Sequence, residues 1–159
     1  MLKNDGTLPL AGKKVAFFGR CQYDYFYCGY GSGGDVNLPY KVSLAEALHN
    51  QDSIIVNRDI DALYSRMSSQ NPPDEGYWGH WPFNFPEFIP DDGLIKKASE
   101  ESDVAVVIIG RAAGEDRENT LTPGSYFLTE EETIPGYTRL NGIIKTTIER
   151  YWDNAANDY

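Results

Sequence analysis

Two stretches of the chain are apolar without polar alternation: KKVAFFG over 13–19 and DVAVVIIG over 103–110. Short apolar runs closed by glycine predict buried strands, and the lack of alternation predicts cover on both faces, as in a parallel sheet. SIIVNRD, 53–59, predicts a further strand between them. The intervening segments carry helical spacing instead. In VSLAEALHNQ, Leu44, Ala47 and Leu48 share one face, Ser43 stands at the N-cap position, and Glu46 completes a capping box. DIDALYSRMSSQ predicts a helix stopped by Asn71, Pro72 and Pro73, and DDGLIKKASEES an amphipathic helix leading into the last strand. The order strand, helix, strand, helix, helix, strand predicts an α/β layered sandwich with a mostly parallel sheet and helices on both faces. The two strong strands are expected to be parallel neighbours or near neighbours.

Two regions fit this pattern less directly. PPDEGYWGHWPFNFPEFIP, 72–90, is rich in proline and aromatics. Trp78, Trp81, Phe83 and Phe85 have to bury somewhere, which suits an ordered surface excursion anchored on its own domain; stacking against sugars is the alternative use of such rings. Near the end, GIIKTTIERYW carries a helical stripe of Ile143, Ile144, Thr147, Ile148 and Tyr151. A helix of this kind would return to another parallel strand, yet the sequence stops at Tyr159. One α/β domain over 1–159, cut from something larger and truncated near its C-terminus, is the expectation.

Composition narrows the partners. A formal net charge of −10 over 159 residues repels phosphates, which argues against nucleic acid. No apolar run is long enough to span a membrane, and the N-terminus has no signal-peptide pattern. Cys21 and Cys28 lack CxxC spacing and nearby histidines, so free thiols or a local disulfide are expected rather than a metal site. His49 and His80 are isolated, and no metal or cofactor is expected.

Ligands of open parallel sheets gather where loops leave the carboxyl ends of strands. One such loop is GYGSGGD, 29–35. It lacks the lysine and spacing of a phosphate-binding loop, leaving a permissive turn or a ligand contact through the Ser32 hydroxyl and nearby backbone N–H groups. The other is GRAAGEDREN, 110–119, where Glu115 lies between Arg111 and Arg117. Glu115 is either a structural ion-pair partner or a group with chemistry. Glu130, Glu131 and Glu132 follow Thr129 at a helix start, where capping and the helix dipole account for them.

Taken in order, LKNDGTLPL, KKVAFFG, GYGSGGDVN, VSLAEAL, SDVAVVIIGRAAGEDREN and FLTEEE resemble the second, α/β-sandwich domain of glycoside hydrolase family 3, bacterial β-glucosidases in particular. The resemblance runs from Leu2 to about Glu132 and fades after Thr133. It implies a β-linked glycoside or oligosaccharide substrate and an active site shared with a (β/α)8-type barrel. The barrel, which this chain does not contain, would supply an aspartate nucleophile. It also implies that Glu115, in the G-E of a pattern like S-G-E-G-Y-D-R, is the general acid/base, with Asp116 and Arg117 on its D-R. Ser32 falls on a serine that approaches the sugar. The G-Y between the glutamate and D-R is missing, so the loop is two residues shorter. An acid/base needs a pKa near the working pH, so Arg111 and Arg117 are expected to turn away from Glu115, toward Asp116 and Glu118. From a different class, the alternative is a non-catalytic carbohydrate-binding or scaffold module in which Glu115 is structural.

Overall fold

The computed structural model describes residues 6–28, 36–77, 79–114 and 118–133. Within them β1 (Lys14–Phe18) leads through a short 3-10 turn (Arg20–Gln22) toward α1 (Leu44–His49). Then come β2 (Ile55–Val56), α2 (Arg58–Gln70), α3 (Asp92–Glu101), β3 (Val104–Val107) and α4 (Glu130–Thr133). The three strands form one parallel sheet in the order β2-β1-β3. Val15 of β1 stands opposite Val104 of β3, and Phe18 opposite Val107, so the two strong strands are direct parallel neighbours, as expected.

The two-residue period of a strand explains why β1 is apolar throughout. Ala16 and Phe18 point to one face, where Ile60 and Tyr64 of α2, Ile95 and Ala98 of α3, and Phe88 close over them. Val15 and Phe17 point to the other face, against Leu48 of α1. Helices therefore cover both faces of the central strand. Local caps set where each helix begins. Ser43 accepts the Glu46 N–H at 3.1 Å, and Asp91 accepts the Leu94 N–H at 2.9 Å.

Two expectations need correction. The middle strand is much shorter than 53–59, because Asn57, whose N–H still donates to the Val15 carbonyl at 2.8 Å, caps α2 with its side-chain oxygen on the Ile60 N–H. Asn57 is fully buried, and its amide nitrogen donates to the Ser102 hydroxyl at 3.0 Å. The other correction concerns β3, whose four residues are half-buried rather than enclosed. Among the described residues it pairs with β1 alone. The helix expected over 142–152 lies outside the described residues.

The carboxyl ends of β1 and β3 run in contact, and two glycines permit it. At Gly19, φ is +104°, and a Cβ there would stand 2.1 Å from the Ile108 carbonyl oxygen. A Cβ on Gly110 would overlap the sulfur of Cys21. Beyond the last ladder pair, the Ile108 N–H still donates to the Phe18 carbonyl at 2.8 Å.

The core assignment is testable by truncation. Ile60 is fully buried against β1, whereas Ile55 is 55% exposed. Ile60→Ala is expected to cost about 2–5 kcal/mol by opening a cavity, and Ile55→Ala less than about 1 kcal/mol. Urea unfolding of the two variants measures both, and equal losses would contradict this core.

Candidate active site

Because β1 and β3 are parallel neighbours, the loops that leave their carboxyl ends start from one rim of the sheet. From β1 the chain passes Gly19 and Arg20 toward the loop that holds Ser32. From β3 it passes Ile108, Ile109 and Gly110 into the loop that holds Glu115. Ser32 and Glu115 themselves, with Asp116 and Arg117, lie outside the described residues. Between the two exits is an open hollow of about 510 Å³, lined by Cys21, Tyr25, Phe26, Ser43, Ile108 and Arg111 among others.

Arg111 turns to a different acid from those expected. Its guanidinium donates to both carboxylate oxygens of Glu132, from Nη1 at 2.7 Å and from Nη2 at 2.5 Å. The remaining N–H groups reach backbone carbonyls: Nε to Ser125 at 2.8 Å, Nη1 to Gly110 at 2.8 Å, and Nη2 to Phe127 at 3.3 Å. All five guanidinium donors are thereby engaged. Glu132 is held ready for this pairing by its own helix start. The Thr129 N–H donates to its carboxylate at 2.7 Å, and the Glu132 N–H donates back to the Thr129 hydroxyl at 3.3 Å. That exchange is a capping box, so the capping role expected for the acids after Thr129 holds for Glu132, which also pairs with Arg111.

The aromatic excursion supports this rim from beneath. Phe85 and Phe88 are buried, Phe85 stacks on Phe26 with centroids 4.3 Å apart, and Arg20 lies 4.4 Å above the ring of Phe88. The Ala112 N–H donates to the Phe83 carbonyl at 2.7 Å, tying the loop after β3 to the excursion. A Cβ at Gly124 would stand 2.4 Å from the Asn84 side-chain oxygen, so the returning limb of that loop also sits on the excursion. Anchoring, rather than display of its rings, accounts for Phe85 and Phe88.

Sequence reasoning missed the polar centre of that anchor. Arg20 is buried; its side chain pairs with Asp24 at 2.9 Å and donates to the carbonyls of Pro86 and Asn71. The Arg20 backbone N–H donates to both oxygens of Glu87, at 2.8 and 3.0 Å, and the Phe88 N–H donates to Glu87 at 2.7 Å. Surrounding side chains strip water from Glu87, and this burial pushes its carboxyl up to about 7 against the pull of those N–H groups. The available signal was a lone glutamate inside an apolar, proline-bounded run. The two cysteines form no disulfide, and burial first, then the neighbouring carboxylates Glu87 and Asp24, push Cys21 up to about 12. His49 pairs with Asp61 and His80 lies against Tyr77. Among the described residues no cluster of histidine, cysteine and carboxylates could hold a metal.

The family model for the glycosyl hydrolase family 3 C-terminal domain matches residues 1–131. The chain belongs to that family. A β-glucosidase of Ruminococcus albus is 40% identical over 134 residues, covering 83% of this chain and 14% of its own length. β-Glucosidase A of Butyrivibrio fibrisolvens is 33% identical over 117 residues, covering 72% of this chain and again 14% of its own. The solved structure of a Paenibacillus barengoltzii β-glucosidase superposes with a TM-score of 0.76 at 42% identity. It covers 82% of this chain and 14% of that protein. β-Glucosidase 3B of Thermotoga neapolitana, solved in complex with glucose, gives 0.70 at 26% identity, over 87% of this chain and 20% of that one. This family 3 domain thus spans a small part of the length of the relatives it matches.

Glu87 makes the domain's stability depend on pH with a definite sign. Its folded value of about 7 lies above the ordinary 4.5. The folded state therefore holds the proton more tightly, and the stability it confers is full below 4.5 and lost as pH rises through about 7. The urea midpoint should fall between about pH 5 and about pH 8 in the wild type, and fall less in Glu87→Gln. Identical pH profiles would refute the assignment.

Proposed function

We propose that this chain is the domain of a retaining β-glycosidase, a β-glucosidase, that brings the general acid/base Glu115 to an active site shared with a (β/α)8-type barrel. The observation that carries the proposal is the pairing of β1 with β3. It starts both family-matched loops, one with Ser32 and one with Glu115, from the same rim of the sheet. A β-linked glycoside would lie between that rim and the barrel, with the Ser32 hydroxyl available to the sugar. Protonated Glu115 donates to the departing glycosidic oxygen while a barrel aspartate attacks the anomeric carbon. Glu115, now ionised, takes a proton from water, which attacks the glycosyl-enzyme carbon and releases the sugar with its configuration retained. Because Arg111 is fully engaged by Glu132 and three carbonyls, its donors are not held for Glu115, in keeping with a carboxyl that must cycle through its protonated form.

A carbohydrate-binding or scaffold module remains the rival. It draws on the aromatics of 77–85, of which Phe85 is buried in the core and Tyr77 is exposed.

The chain alone is expected to hydrolyse no glycoside, since it carries at most one of the two carboxylates the reaction needs. In the intact enzyme, Glu115→Gln should slow alkyl glycosides about 100-fold or more, as loss of a general acid does, while glycosylation by activated aryl glycosides changes little. Azide, a nucleophile that needs no base, should then restore turnover of the activated substrate and yield a glycosyl azide of retained configuration. Equal losses on both substrates without azide rescue would remove Glu115 from the role.

A further inference from the structure

We infer that Arg111 and Glu132 are positioning residues for the Glu115 carboxyl, an inference that rests on the acid/base reading above. Arg111 opens the loop that contains Glu115, and Glu132 stands in the first turn of α4, where the chain has come back. Bonds from one guanidinium to the outgoing limb at Gly110, to the returning limb at Ser125 and Phe127, and to Glu132 fix the distance between the loop's two ends. The pair is partly shielded, with side-chain exposures of 23% for Arg111 and 6% for Glu132, so water competes weakly for it.

The returning limb is itself stiff. The Thr120 N–H donates to the Ser125 hydroxyl at 3.0 Å, and the Gly124 N–H donates to the Phe127 carbonyl at 2.8 Å. On the outgoing side the Ala112 N–H is held by Phe83. The clamp therefore joins two limbs that are each already anchored, and what it sets is their relative position. A general acid must come within hydrogen-bond reach of the leaving oxygen, and a displacement of about 1 Å can cost about 100-fold in rate. Lysine cannot substitute, because an ammonium is a point donor and cannot span carboxylate and carbonyls in one plane.

The test uses the intact enzyme with Arg111→Lys and Glu132→Gln, each alone and each combined with Glu115→Gln. Rates are normalised to active sites counted by trapping the nucleophile with a slow fluorinated glycoside. Each clamp variant should lower kcat on an alkyl glycoside about tenfold to 100-fold, with KM within about threefold. Activated aryl glycosides should lose far less in the glycosylation step, and azide should restore part of their turnover. In the Glu115→Gln background the clamp variants should add less than about twofold, because they act through the group already removed. Equal normalised losses on both substrate types, unchanged kinetics, or losses that multiply with those of Glu115→Gln would each overturn the positioning role. Glu115→Gln alone reports on the acid/base reading. If it lacks the leaving-group signature, that reading fails and the clamp's role falls with it. If it shows the signature and Arg111→Lys does not, only the clamp is wrong.

Discussion

The contact between the carboxyl ends of β1 and β3 governs the rest of this structure. Strands in a sheet run about 5 Å apart, and chains that diverge into separate loops normally separate at once. Here they do not, because Gly19 presents no side chain to the Ile108 carbonyl and Gly110 none to the sulfur of Cys21. The close approach has two consequences. It extends the hydrogen bonding by the Ile108 N–H past the last ladder pair, and it brings Arg20 and Arg111, one after each glycine, to the start of their loops on the same rim. Each arginine then organises a different support, Arg20 the aromatic excursion below and Arg111 the return of the loop toward α4.

The two arginines handle burial differently. Arg20 is enclosed, and a buried guanidinium is costly unless its donors are satisfied. Asp24, the Pro86 and Asn71 carbonyls and the face of Phe88 meet that requirement, while Glu87 accepts backbone N–H groups instead of the guanidinium. Glu87 has no direct ion pair with the guanidinium, and burial raises its proton affinity. Arg111 has the simpler arrangement: one carboxylate, bidentate, oriented by the capping box of α4. A helix start thus does more than terminate a loop, because the residue that caps it also measures the loop's width.

The elements that position the site were legible in the sequence because each rested on a strong local signal. The unalternating apolar run of β1, the Ser43 cap and the amphipathic faces of α2 and α3 leave few other ways to bury their side chains. The limits of β2 were not legible, since IIVN continues a strand pattern until the capping use of Asn57 ends it. Half-burial of β3 was equally hidden, because a sequence gives the character of a strand and not what packs against it. The partners of Arg111 were out of reach for a related reason. Local spacing favoured Asp116 or Glu118, whereas the pairing with Glu132 depends on where the loop comes back. Arg20 and Glu87 are far apart in sequence and meet only through the folding of the excursion.

The placement of Glu87 also bears on how a pH–rate curve of such an enzyme would be understood. The excursion it fixes carries Phe83 and Asn84, and these touch both limbs of the loop that contains Glu115. Ionisation of Glu87 near neutral pH puts a charge under that support, in a setting where its own burial disfavours the charge. A limb of the curve near pH 7 would therefore carry a contribution from a loosening of that shelf. A change at Glu87 that removes its charge abolishes that contribution. The rigidity of the loop after β3 is thereby tied to the charge state of the shelf it rests on.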